Sequence, residues 1–301
     1  MKAALGVELT IVEPGDSPDV LLVGVLTPKG VMRGRDPAFA TLLNTSTALR
    51  IYRTGENTDH LAYPASELDL SFGVRCPPAS TIPCARLPFW FVYSVDAETC
   101  TLHVKDGPNA EAWARRPLFA SLISGHGGYP REELFDALSA IGNVTAPGRF
   151  IHNAPPIGPG DGAKARLLET SRFNICPENR EGNGYVTEKL VQAHQAGAIP
   201  VYWRGEGRTV EHEVFSQKRI LNLGLFENDI ARLVDRVRLL EEDAEERKRF
   251  FSVPILKPGA QAHVTSVCAE LVRKFAEGME RRGLGARLQS AIRKQTFRRE
   301  S

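Results

Sequence analysis

No run of about 18 uncharged apolar residues occurs anywhere in the 301-residue chain, so no segment reads as a membrane-spanning helix. The first residues, MKAALGVELTIVEPGD, reach Glu8 and Glu13 before any apolar run long enough for a secretory leader, and export is not expected. Cysteine is scarce. Cys76, Cys84, Cys100, Cys176 and Cys268 are odd in number and widely spaced, and no Cys-x-x-Cys pair is present for zinc or redox work. The expectation is five reduced thiols in a cytoplasmic protein. Asp-x-Asp is missing too, and His60, His103, His126, His152, His194, His212 and His263 show no metal-ligand spacing, so no metal site and no obligatory cofactor are expected. Charge of one sign is not in excess: 38 Lys and Arg against 36 Asp and Glu give +2, too balanced for a protein whose whole surface binds nucleic acid. Internal repeats and low-complexity tracts are absent.

What is present is an ordinary folded composition, 42% hydrophobic and 25% charged, with length enough for about two domains. Short apolar runs recur at Val20 to Leu26, Leu49 to Tyr52, Phe89 to Tyr93, Leu118 to Ile123, Phe173 to Cys176, Ile199 to Trp203 and Ile220 to Leu223. Runs of this length without alternation suit strands buried on both faces. Helical periodicity lies between several of them. Leu134, Leu138 and Ile141 fall on one helical face, as do Val186, Leu190 and Val191 ahead of Gly197, and Ile230, Leu233, Val234, Val237 and Leu240. Strands alternating with helices predict an α/β protein with largely parallel sheets. A Pro- and Gly-rich stretch near 143 to 163 suggests a boundary, giving an N-terminal α/β domain (1–148), a C-terminal α/β domain (149–280) and a basic tail (281–301). Two such domains would face one another across a ligand cleft.

The densest stretch is RFNICPENREGNGYVTEKLVQAHQAGAIPVYWRG, Arg172 to Gly205. A buried strand runs into Pro177, Glu178 and Asn179. A polar loop with Gly182 and Gly184 follows, and a helix is expected to begin near Tyr185. Such a strand, loop and helix start offers free backbone N–H groups and a positive dipole end to a phosphate. Lys189 adds a full charge, Tyr185 a hydroxyl donor, and Asn179 an amide suited to sugar hydroxyls. Taken singly, Glu188 and Lys189 read as a solvated helix face; their clustering behind the glycine loop is what points to a site. No third glycine completes a dinucleotide fingerprint, and no Gly-Lys-Ser/Thr ends a P-loop.

The segments FNICPEN, YVTEKL and AIPVYW together resemble the signature of the α1,3/1,4-fucosyltransferase family, inverting GT-B enzymes that use GDP-fucose. Upstream, RIYRTGEN (Arg50 to Asn57) resembles the family's strand and turn bearing the acceptor-side glutamate. PLFASLISG with REELFDAL resembles its strand and helix carrying a phosphate-binding arginine. The resemblance implies two Rossmann-like domains in the GT-B arrangement, with Glu56 as general base. It also implies that Arg131 and Lys189 hold the diphosphate, and that Asn179, Tyr185 and Glu188 line the GDP-fucose site. Without it, Glu56 in Thr54-Gly55-Glu56-Asn57 reads as an ordinary turn acid. Arg131 follows Pro130 at a helix start, where the dipole disfavours a cation unless an anion sits beside it.

The family has a strand and helix ahead of the segment that Leu9 to Leu26 resembles, so the first domain is expected to lack its first strand or to start late. The resemblance implies GDP-fucose and an oligosaccharide or glycoconjugate as partners, with transfer to N-acetylglucosamine or glucose in an α1,3- or α1,4-linkage. A transferase of the same fold using another GDP-sugar, or an inactive sugar-nucleotide or glycan-binding protein, remains open. Residues 281–301 carry seven basic side chains and one acid, leaving the first 280 at net −4. Leu284, Leu288 and Ile292 at i+4 spacing there would let a basic helix lie on the inner face of an anionic membrane. A frayed terminus is the plain alternative.

Overall fold

The computed structural model describes residues 18–24, 43, 45–55, 65–76, 80–158, 161–182, 184–205, 207 and 209–286. The chain divides into two compact units, one of residues 1–101 with 264–301 and the other of residues 102–263. The division therefore falls well before the expected boundary at 148. The Pro- and Gly-rich stretch around 150 is a connection inside the second unit, because the strands on either side of it belong to one sheet.

In the first unit, β1 (Val20–Val23), β2 (Leu49–Arg53), β3 (Leu70–Gly73) and β4 (Cys84–Arg86) form a four-stranded parallel sheet in sequential order. Leu49, Ile51, Leu70 and Phe72 pack on Phe275 and Met279. The latter two come from the part of the 22-residue helix Ala260–Arg281 that lies in this unit. At the start of β2, Arg50 is buried and bound through Nε and Nη2 to both oxygens of buried Asp69, at 3.0 and 2.9 Å. The apolar run at 89–93 is not a strand: Phe91–Ser94 form α1, one turn of helix. Cys76 and Cys84, eight residues apart, form a disulfide, which corrects the expectation of five reduced thiols and removes the argument from cysteine to a reducing compartment.

The expected tail also begins differently. The long helix closes in a Schellman cap, with Gly283 at φ +73°, its N–H on the Glu280 carbonyl and the Leu284 N–H on that of Met279. Leu284 is buried in the first unit's core and Arg282 donates to the Ala48 carbonyl, so the membrane face proposed from Leu284 loses its first member. Residues 287–301, like the segment preceding residue 18 where the missing strand was expected, lie outside the described residues. No helix among the described residues is long and apolar enough to cross a membrane.

The second unit carries β5 (Leu118–Leu122), β6 (Val144–Thr145), β7 (Ser171–Ile175), β8 (Ile199–Tyr202) and β9 (Leu221–Asn222), all parallel, in the order β6-β5-β7-β8-β9. In chain order that is 2-1-3-4-5, a doubly wound sheet whose connections reverse direction between β5 and β7. The helices of this unit are α2 (Ala110–Ala114), α3 (Arg131–Ser139), α4 (Asp161–Thr170), α5 (Glu188–Gln195), α6 (Ile230–Glu242) and α7 (Ala244–Ser252). Helix α3 packs with α6, and α4 with α5, as right-handed crossovers in the two directions require. Phe119, Phe173, Ile175, Ile199, Val201, Leu233 and Val237 fill the core between the sheet and the α3–α6 layer. The α/β class with parallel sheets expected from the sequence is the class found.

Candidate active site

Open parallel sheets bind ligands beyond the carboxyl ends of their strands, where the winding reverses. In the second unit that place lies past Leu122 of β5 and Ile175 of β7. A small concavity sits there, and its lining includes Ser124, Arg131, Lys164, Asn174, Cys176 and Lys189. Three of these six side chains are cations.

Arg131 is the first residue of α3 and is only 1% exposed. Its Nη1 donates to the Gly127 carbonyl at 3.2 Å, and its Nη2 donates to the Pro177 carbonyl at 3.2 Å and to Asn179 Oδ1 at 2.8 Å. All three acceptors are neutral. Among the described residues no carboxylate lies within ion-pair distance of the guanidinium. Burial pulls Arg131 below its ordinary value, while the charge of Glu178 and the Tyr185 hydroxyl oppose that shift. A buried cation at a positive helix end, held by neutral acceptors, is a charge awaiting an anion.

Lys189 reaches the same concavity from α5. The helix begins at Glu188, three residues later than expected, because Thr187 is extended and its hydroxyl caps the first turn by accepting from the Lys189 N–H. Lys189 Nζ donates to Glu178 Oε2 at 3.0 Å and to Thr187 Oγ1 at 3.1 Å. Glu178 has no solvent exposure and accepts four hydrogen bonds. Thr187 N–H at 2.7 Å and Tyr202 Oη at 2.8 Å donate to Oε1; Thr187 Oγ1 at 2.8 Å and Lys189 Nζ donate to Oε2. Tyr202 is held well above its ordinary value, first by burial and then by this carboxylate. Cys176 is buried, and burial together with the charge of Glu178 pushes its thiol up, which argues against a nucleophilic role.

The structure thus brings Arg131, Asn179, Tyr185 and Lys189 together. Asn179 is exposed and uses its carbonyl oxygen on Arg131, leaving its amide N–H groups for a ligand. Tyr185 is buried close enough to Arg131 to bear on its charge. Glu188 is half-buried at the first position of α5; the acid that pairs with Lys189 is Glu178 instead. Glu56 lies outside the described residues. Thr54 and Gly55 just before it close β2, and a side chain at Gly55 would strike the Phe89 ring. Sequence reasoning gave no role to Glu178, whose burial nothing in its neighbours announces. It also gave no role to Lys164, which directly follows the Pro- and Gly-rich stretch read as a boundary.

Residues 116–258 match the C-terminal model of glycosyltransferase family 10 (fucosyltransferase). The resemblance to fucosyltransferases is real. The matched fucosyltransferase segment lies wholly within the second unit and contains Arg131, Lys164, Glu178, Asn179, Tyr185, Glu188 and Lys189. Over 111 residues the chain is 35% identical to the alpha-(1,3)-fucosyltransferase FucT of Helicobacter pylori; this is 36% of the chain and 22% of the length of that enzyme. A solved alpha1,3-fucosyltransferase structure superposes with a TM-score of 0.61 at 20% identity, covering 87% of this chain and 79% of the other. Another, solved with GDP-fucose, superposes with a TM-score of 0.58 at 18% identity, over 90% and 95%. At those identities the likeness shows the fold.

Proposed function

We propose that the protein is an inverting fucosyltransferase that moves L-fucose from GDP-β-L-fucose to a hydroxyl of N-acetylglucosamine, or glucose, in an oligosaccharide, giving an α1,3- or α1,4-linkage. The observation that carries this reading is the buried Arg131 guanidinium, paired with no carboxylate among the described residues, set beside Lys189 and Lys164 where the sheet reverses its winding. A departing nucleoside diphosphate gathers negative charge as the bond to the sugar breaks. Cations fixed in advance at that point stabilise the transition state more than the ground state, each by about 2 to 4 kcal/mol.

Arg131 has two N–H bonds left beyond its three protein acceptors, and Lys189 has one, so both can grip phosphate oxygens without rearranging. Asn179 and Tyr185 are placed beside Arg131 to bind hydroxyls of the donor. Glu188, half-buried at the start of α5, is the remaining residue proposed to line the donor site. With side-chain cations at the diphosphate, the chemistry calls for no metal, and the reading includes turnover without one. Inversion requires an acceptor hydroxyl to attack opposite the leaving GDP, and Glu56 is the carboxylate proposed to take its proton.

The test is transfer from GDP-fucose to a panel of oligosaccharides, with Glu56→Gln as the variant. Glutamine keeps the shape of the side chain and cannot accept a proton at neutral pH, so turnover is expected to fall by about 10² to 10⁴ while GDP affinity holds within about threefold. Retention of more than about a tenth of turnover would assign the base to another carboxylate. Absence of transfer to every acceptor by the wild type would count against the function itself.

A further inference from the structure

Glu178 is a fully buried carboxylate that the reaction as proposed does not use, yet it has four donors from three residues on two elements, α5 with its cap and β8. It follows β7, and its own N–H extends the ladder to β8 by donating to the Trp203 carbonyl at 2.8 Å. Thr187 is the cap of α5, Lys189 lies in that helix's first turn, and Tyr202 ends β8. A buried anion with this many donors is fixed in place, since losing any donor exposes an unmatched charge to a low-dielectric interior.

We propose that Glu178 is a positioning residue for the diphosphate site, holding Lys189 so that one ammonium N–H points at the bound phosphates. The hydrogen-bond inventory requires such a device. An ammonium on a four-carbon stem is a mobile point charge with three equivalent donors, and a free one would spend its time in solvent. Here Glu178 Oε2 and Thr187 Oγ1 take two of the donors at 3.0 and 3.1 Å. The Thr187 hydroxyl gives its own proton to the same carboxylate and accepts from the Lys189 Nζ and N–H, so its capacity is filled. The remaining Lys189 donor is left for the concavity that Lys189 lines with Arg131 and Lys164. Glu178 thereby sets both the aim of the lysine and, through the Thr187 N–H and hydroxyl, the start of the helix whose positive end faces the ligand.

This inference rests on reading the concavity as a diphosphate site, so the experiment carries a probe that does not depend on the nucleotide. Calorimetric titrations of the full chain with GDP and with inorganic pyrophosphate are compared for the wild type, Glu178→Gln, Lys189→Met and the double variant. Glu178→Gln is expected to weaken both probes about tenfold, and to weaken neither further once Lys189→Met is present. Transfer assays read the same dependence: the donor KM and kcat of Glu178→Gln move in the proportion shown by Lys189→Met. A merely structural glutamate would weaken binding by the same factor in both backgrounds, and that result, or unchanged affinity in the folded single variant, overturns the proposal. If Glu178→Gln does not fold, Tyr202→Phe removes one donor from the same carboxylate. It is then expected to cost about threefold in pyrophosphate affinity with Lys189 present and nothing without it; no loss in either background overturns the proposal. A wild type that binds pyrophosphate but not GDP contradicts the GDP-sugar reading and leaves the Glu178 cycle readable; one that binds neither contradicts both.

Discussion

His194, in the last turn of α5, is buried, stacks on Phe215 with ring centroids 5.9 Å apart, and is driven down to about 3 by burial and by the charge of Arg219. The imidazole is therefore neutral in the fold and protonates freely only in the unfolded chain. Its contribution is complete above the unfolded value near 6.5. It is lost as pH falls, because the unfolded state takes up the proton and the native state does not, at about 1.4 kcal/mol per pH unit. His194→Gln is expected to flatten the stability profile between pH 6 and 4 by that slope, measured by urea unfolding at fixed pH; an unchanged slope would place the acid sensitivity elsewhere. Residues of this kind mark how far single positions can be read. Lys189 was legible as a candidate phosphate ligand from the loop and helix start around it, and Arg131 only through the family resemblance; the structure brings both to one concavity. Glu178 was not legible, since a carboxylate next to Asn179 and Arg180 looks solvated until β7, β8 and α5 close over it.

At the scale of elements, α5 and its flanking strands were the clearest. The apolar face of Leu190 and Val191 repeats at helical spacing, and Gly197 ends the helix as expected, with φ +72° and the Ala198 N–H on the Ala193 carbonyl. A Cβ at Gly197 would run into the Pro108 ring and Arg116, so the position needs glycine for conformation and for space. Gly197→Ala is expected to destabilise the chain by at least about 2 kcal/mol, read as a lowered denaturant midpoint with an unchanged slope; a loss below about 0.5 kcal/mol would mean that the cap relaxes freely. The elements misread have physical reasons. Phe89 to Tyr93 is apolar without being a strand, because a run of five has no periodicity to separate one helical turn from one strand. Strands β3 and β4 are four and three residues long and gain their order from pairing. Helix α4 starts within the last three residues of the Pro- and Gly-rich stretch read as a boundary, which hides its beginning.

For the whole molecule, two α/β units with parallel sheets were legible from the alternation of apolar runs with helical periods. Their division was not, since the contacts that set it join residues far apart in sequence and bring 264–301 back to the first unit. That return changes the experiment on the tail. Leu284 belongs to a core, so the deletion that tests membrane attraction starts at residue 287. Removing 287–301 is expected to leave transfer intact and to reduce co-sedimentation with anionic vesicles, an attraction that weakens as salt rises; equal binding by both forms would make the tail electrostatically inert. The central claim concerns the second unit, where a site built from the chain's own cations receives a guanosine diphosphate. Calorimetric titration of the intact protein with GDP, UDP and CDP in the presence of EDTA addresses it most directly, with Arg131→Met alongside. The account predicts tightest binding of GDP, indifference to the chelator, and a loss of about 30-fold or more in Arg131→Met. Equal affinity for UDP, loss of GDP binding in EDTA, or full affinity in Arg131→Met would contradict it.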